Sequence, residues 1–113
     1  KITITWTSST NSFATGDTKY VRGEIERVVF IPSATTPPLN NYDLTLKDDS
    51  DIDILAGLGA NLASNATANV IPGLGVAVGA TTNVLPFNVN DILSLSVTNC
   101  GASASGQVIL YVK

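Results

Sequence analysis

An all-β fold, an antiparallel β-sandwich of jelly-roll-like topology, is predicted by three features of the sequence. Apolar and polar residues alternate with period two over most of the chain, Thr, Val and Ile are frequent, and short clusters of turn residues separate the alternating runs. Residues 1–113 (11.7 kDa) have the length of a single domain, enough to build a two-layer core without a disulfide or a metal. About seven or eight short strands are expected for such a sandwich.

The elements follow in order. Ile2, Ile4 and Trp6 alternate with Thr3, Thr5 and Thr7, which predicts a half-buried first strand. SSTNSFATGDT then reads as a polar loop with Phe13 tucked inward. YVRGEIERVVFI (20–31) reads as a long strand whose mixed faces suggest a bulge, and Pro32 ends it. Glu24 and Glu26 beside Arg22 and Arg27 predict an exposed ion-pair ladder. SATTPPLNN is a loop stiffened by Pro37 and Pro38. Tyr42, Leu44 and Leu46, then Ile52 and Ile54, alternate with polar partners around DDSD, which predicts a β-hairpin with Leu44, Leu46, Ile52 and Ile54 in the core.

Residues 55–80 are expected to form a long loop with one helical turn at most, because Gly57 and Gly59 interrupt the leucine spacing. A short strand near Ala68 to Ile71 follows, and Pro72-Gly73 breaks it. The small apolar run GLGVAVGA is suited to lie against another subunit. Thr82 to Phe87 predicts a strand interrupted by Pro86, hence an edge or a strand end, and the alternation of Leu93, Leu95 and Val97 with Ser94, Ser96 and Thr98 predicts a further strand. Val108 to Val112 closes the chain with apolar residues on both faces, so its outer face is either central in a sheet or in contact with a partner.

Composition narrows the chemistry. The chain is 44% hydrophobic and only 13% charged, with a net charge of −3 and six scattered basic residues, so nucleic-acid binding is not expected. No apolar run is long enough for a membrane-spanning helix. No signal-peptide pattern opens the chain, and its first residue, Lys1, predicts processing or trimming. Cys100 is the only cysteine and histidine is absent, which leaves no Ser-His or Cys-His pair and no His-ligated metal. A catalytic role and a bound cofactor are therefore not expected. The densest chemical feature is DDSDID (48–53). Asp49, Asp51 and Asp53 match the first ligand positions of a calcium loop, but Ile54 stands where Gly is required and Ala60 where Glu is. What remains is Asp51 and Asp53 on one strand face, able to share a cation with a neighbouring loop or to meet an arginine.

GEIERVVFIP, YDLTLKDDSDIDILAGLGANL and ILSLSVTNCGASASGQVILYVK together resemble small β proteins encoded among the structural genes of tailed bacteriophages. The resemblance spans most of residues 20–113. It implies a head decoration (cement) protein that is made in the host cytoplasm, sits on the capsid exterior, and bridges neighbouring major capsid subunits. The implied partners are the major capsid protein and further copies of this chain, as a dimer or trimer. Candidate contact residues are Pro37, Pro38, Leu74, Val76, Val78, Ile109 and Tyr111. The competing expectation is a tail- or fibre-associated module that binds host glycans, for which DDSDID would be the place to look.

Overall fold

The computed structural model describes the backbone of residues 1–78, 81–86 and 88–113, and the side chains outside 74–87. The fold is all-β, every strand pairing is antiparallel, and no helix occurs among the described residues. The strands are β1 (Ile2–Thr7), β2 (Phe13–Pro32), β3 (Asp43–Lys47), β4 (Ala68–Val70), β5 (Gly73–Val78), β6 (Thr81–Pro86), β7 (Asn88–Thr98) and β8 (Ser105–Val112). Six of them form one sheet in the order β1-β8-β2-β7-β3 with β4 added on β2, slightly fewer than the seven or eight expected for the sandwich. β5 and β6 pair only with each other, as a two-stranded ribbon.

The organising element is β2, twenty residues long. Its first part, from Phe13 to Glu24, pairs with β7; its second part, from Ile25 to Pro32, pairs with β8 on one side and β4 on the other. The change of partner falls at Gly23, whose φ of +139° is open to glycine and strained for other residues. A Cβ there would also lie 2.6 Å from the carbonyl oxygen of Lys113. Glu24 takes over at once, exchanging backbone bonds with Lys113 in both directions.

Two bulges adjust the face of β2. At the first, between Asp17 and Tyr20, Thr18 turns inward, is buried, and its Oγ1 accepts from the Leu93 amide at 2.9 Å. At the second, between Ile25 and Arg27, Glu26 drops out of register. These bulges explain why the alternation in 20–31 is mixed. The 20–31 strand is real but starts earlier than its pattern suggests: the expected loop at residues 8–18 becomes strand from Phe13. Phe13 is 43% exposed rather than tucked inward, because Ala14 takes the core-facing position. The pairing also fits Pro32, since the Ser33 amide bonds to Ser105 O and the neighbouring position therefore points its missing donor away from β8.

One core collects residues from both pairing blocks. Trp6, Val28, Phe30, Val108 and Leu110 come from the β1-β8-β2 side, and Val21, Leu44, Leu46, Leu93, Leu95 and Val97 from the β2-β7-β3 side. Trp6 and Tyr42 meet with ring centroids 6.0 Å apart at 44°. Burial pushes the Tyr42 hydroxyl up to about 12, so it stays protonated at neutral pH.

The expected hairpin around DDSD is reduced to a reversal of the chain. β3 pairs as a strand with β7, and on its other edge residues 53–62 make only isolated bridges, Lys47 to Asp53 and Tyr42 to Leu62. Ile54 is buried as expected, but Ile52 is 53% exposed and outside the core. The reason is local: positive φ at Asp51, Ala56, Gly57 and Asn61 curls the segment, and a regular second strand cannot form. Leu55 and Leu62 are buried while Leu58 is exposed, in a run of turns rather than a helical turn. Gly59 lets this run approach β3 closely, its carbonyl accepting from the Leu44 amide at 2.8 Å where a Cβ would strike Leu44 O. The strand expected at 68–71 appears as β4, and that expected at 82–87 as β6, apart from Phe87, which lies outside the described residues.

Candidate functional site

The acidic turn follows β3, and its carboxylates act as fasteners of backbone. Asp48 Oδ1 accepts from the amides of Ser50 (2.9 Å) and Ile52 (3.0 Å), a capped turn of the kind Asp forms readily. Asp51, at φ +63°, reaches back to Lys47, with Oδ1 3.1 Å from Nζ, and both side chains are solvent-exposed. Asp53 is the most committed: Oδ1 accepts from Leu46 N and Leu55 N at 3.1 Å each, and Oδ2 from Gly57 N at 3.2 Å. Asp51 and Asp53 therefore do not share a strand face, because Asp51 sits in the turn itself. Asp49, Asp51 and Asp53 do not converge, and among the described residues no three His, Cys, Asp or Glu side chains are placed to hold a metal ion.

Asp91 of β7 joins the turn from 42 residues away, its Oδ2 accepting from the Asp49 amide at 3.3 Å and its Oδ1 from Ile92 N at 3.0 Å. A hydrogen bond between the two carboxyls raises Asp49 above the ordinary carboxylate range, with like-charge repulsion from Asp91 adding to it. The same bond lowers Asp91. On the neighbouring strand, Asp43 accepts from Asn61 N (2.9 Å) and Asn99 Nδ2 (2.7 Å), and the Asn61 amide followed by the Asn99 side chain lowers its carboxyl.

The other sequence candidates are spread over the surface. Pro37 is exposed, but Pro38 is buried and turns away from solvent, so it is not available as a contact. Its neighbour Leu39 is the exposed residue (61%), held over Gly101 by a 2.9 Å bond from its amide to Cys100 O. Ile109 and Val29 oppose each other on the side of the sheet facing away from the core and are nonetheless nearly buried. Tyr111 is half-buried beneath Arg27, whose guanidinium carbon stands 3.9 Å from the ring centroid. This stacking replaces the ion-pair ladder expected at 22–27; among the described residues the one ion pair is Lys47–Asp51. Leu74, Val76 and Val78 belong to β5, opposite Leu85, Asn83 and Thr81; their side chains, and Gly79 and Ala80, lie outside the described residues. Cys100 is fully buried.

Two adjoining hollows of about 390 and 300 Å³ share Pro32, Ser33 and Ala34 at the end of β2. Their walls are hydroxyls, amides and small apolar groups, among them Thr5, Ile31, Gln107, Pro37, Asn65 and Thr67, with no charged side chain. Neither hollow meets the acidic turn. Comparison with protein-family models, with curated proteins and with solved structures found no match.

Proposed function

We propose that this chain is a structural virion protein of a tailed phage, a decoration protein that binds the capsid exterior and stabilises contacts between major capsid subunits. In this reading the two pairing blocks that share β2 are the layers of a β-sandwich of jelly-roll type, closed over the single core. The role is structural rather than catalytic. The observation that carries it is the β5–β6 ribbon together with its composition. From Ile54 to Asn90 the sequence holds no charged residue, and within that span β5 and β6 form a ribbon outside the six-stranded sheet. A two-stranded ribbon alone in water is marginal, and interface centres are depleted in charge, so a segment of this kind is suited to contact with another subunit. The sequence resemblance to phage structural proteins points the same way. Binding only to the assembled shell would stabilise it by mass action.

The test is addition of the purified protein to capsid shells lacking it. Saturable co-sedimentation and a higher shell melting temperature are expected; failure to bind, or equal resistance of decorated and bare particles to heat and chelators, overturns the reading. A second reading, a tail- or fibre-associated module binding host glycans, is favoured by the uncharged, hydroxyl-lined hollows at Pro32–Ala34. Glycan-array binding that a Gln107→Ala substitution abolishes would move the assignment to it.

A further inference from the structure

The strands on which this fold could gain a neighbour are not equally protected. β3 is flanked by residues 53–62, whose backbone bonds to Leu44, Leu46 and Tyr42. β4 has three residues, too few to template a partner. The first part of β2 is interrupted by its bulge and carries the charges of Asp17 and Lys19 there. β1 has none of these devices: Ile2–Thr7 contains no charge, no proline, no glycine and no bulge, and four of its residues are β-branched before Trp6.

The direction of its backbone groups follows from the register. The Ser8 amide bonds to Ala104 O, and Ser105 spends both its amide and its carbonyl on Thr36 and Ser33, away from β1. Bonding alternates along an antiparallel pair, so Ile2, Ile4 and Trp6 face β8, and the amides and carbonyls of Thr3, Thr5 and Thr7 point to the open edge. Among the described residues these groups have no hydrogen-bond partner. The three threonine side chains are exposed as well. The edge borders a hollow of about 520 Å³ lined by residues 1–5 and 16–19, so there is room beside it.

We propose that β1 is a strand-addition edge and that its occupant is β1 of a second copy, running antiparallel about a twofold axis at Thr5. The strand is complementary to itself in that register: Thr5 opposes Thr5 of the second copy, Thr3 opposes Thr7, and Ile4 lies beside Trp6. Threonine pairs on the outer face and apolar pairs on the inner one are favourable cross-strand neighbours, and no like charges meet. The outward groups of Thr3, Thr5 and Thr7 are those that narrow pairs in this register require, giving about six intermolecular hydrogen bonds at two per pair. The sheet continues across the axis. This dimer needs no capsid and stands or falls separately from the decoration reading.

Light scattering after size exclusion and oxidative cross-linking on the isolated protein test it. The wild-type chain is expected at twice 11.7 kDa. Thr5→Pro removes a donor that the monomer does not use, and Thr5→Lys places charges opposite each other across the axis; both are expected to run as folded monomers with unchanged far-ultraviolet circular dichroism. If Thr5→Pro fails to fold, Thr5→Lys decides, since its side chain is exposed. Thr5→Cys is expected to give a disulfide-linked dimer, since paired residues of this type lie about 5.5 Å apart at Cα, within disulfide reach. Thr3→Cys is not, because its equivalent lies across from Thr7. A monomeric wild type, a dimer that survives Thr5→Lys, or equal cross-linking of the two cysteine variants overturns the proposal.

Discussion

β1 and β3 stand at opposite ends of the strand order and are finished differently. β1 exposes its backbone donors and acceptors, whereas β3 is covered by residues 53–62, a run of turns with no strand of its own. What holds that cover is carboxylate: Asp53 binds three amides, and Asp43 ties down Asn61 and Asn99. The difference shows that irregular chain can close a sheet edge if anionic side chains take the amides that a regular ladder would have used. β1 is held by its core-facing Ile4 and Trp6, by Ile2 packed at the margin of the core, and by the bonds to β8.

The largest effect is expected from the open side. Trp6→Ala removes the main core anchor of β1 and should cost about 3–5 kcal/mol in urea unfolding. The closed side should break at Asp53: Asp53→Ala leaves three amides without their acceptor and should cost about 2–3 kcal/mol. Hydrogen exchange would then show lost protection at Leu44, Leu46 and Ile54 while the β1–β8 amides keep theirs; uniform loss would mean that the cover is not a separate unit.

Asp43→Asn should cost less, about 1 kcal/mol at neutral pH, and with a defined pH dependence. Because the folded carboxyl of Asp43 lies below its unfolded value, its contribution is present above the ordinary carboxylate range and is lost as pH falls through the lowered value. The variant should lose that part of the acid sensitivity. Asp49 behaves oppositely. Its folded value is raised by the hydrogen bond to the Asp91 carboxyl, so its contribution is present at low pH and lost as pH rises through the raised value. In Asp91→Asn, carboxyl-detected NMR titration should return Asp49 towards its ordinary range; an unmoved titration would show that Asp91 is not the cause. The smallest effect belongs to Lys47→Ala, within about 0.5 kcal/mol of wild type, because its pair with Asp51 is exposed to solvent.

How much of this is legible in the sequence depends on whether the cause is local. Ile2 to Thr7, Ala68 to Val70 and the core positions Leu44, Leu46 and Ile54 follow from period two, since each face is fixed by neighbours two residues away. Ile52 misled because the same period was carried through a turn whose positive φ at Asp51 breaks it. Phe13 misled because a bulge four residues on resets which side of β2 meets the core, and bulges leave only a blurred alternation. In the acidic turn the residue types were readable and their work was not. Asp53 serves amides up to seven positions away, and Asp91 arrives from another strand with nothing near it in sequence to announce the meeting. The bare edge of β1 was equally hidden, because TITWT shows an uncharged strand but not which of its neighbours is missing.

The partner exchange at Gly23 carries a consequence for how the chain comes to be folded. β2 spans Phe13–Pro32, yet its long-range partners β7 and β8 follow only from Asn88 to Val112. During synthesis the long-range pairing of β2 therefore waits until β7 and β8 have left the ribosome. Non-local strand pairing of this kind closes slowly and leaves sticky intermediates meanwhile. Deletion of β8 should accordingly yield aggregates rather than a smaller folded unit, and emergence of β8 should be the event that starts the collapse of both halves of the sheet at once.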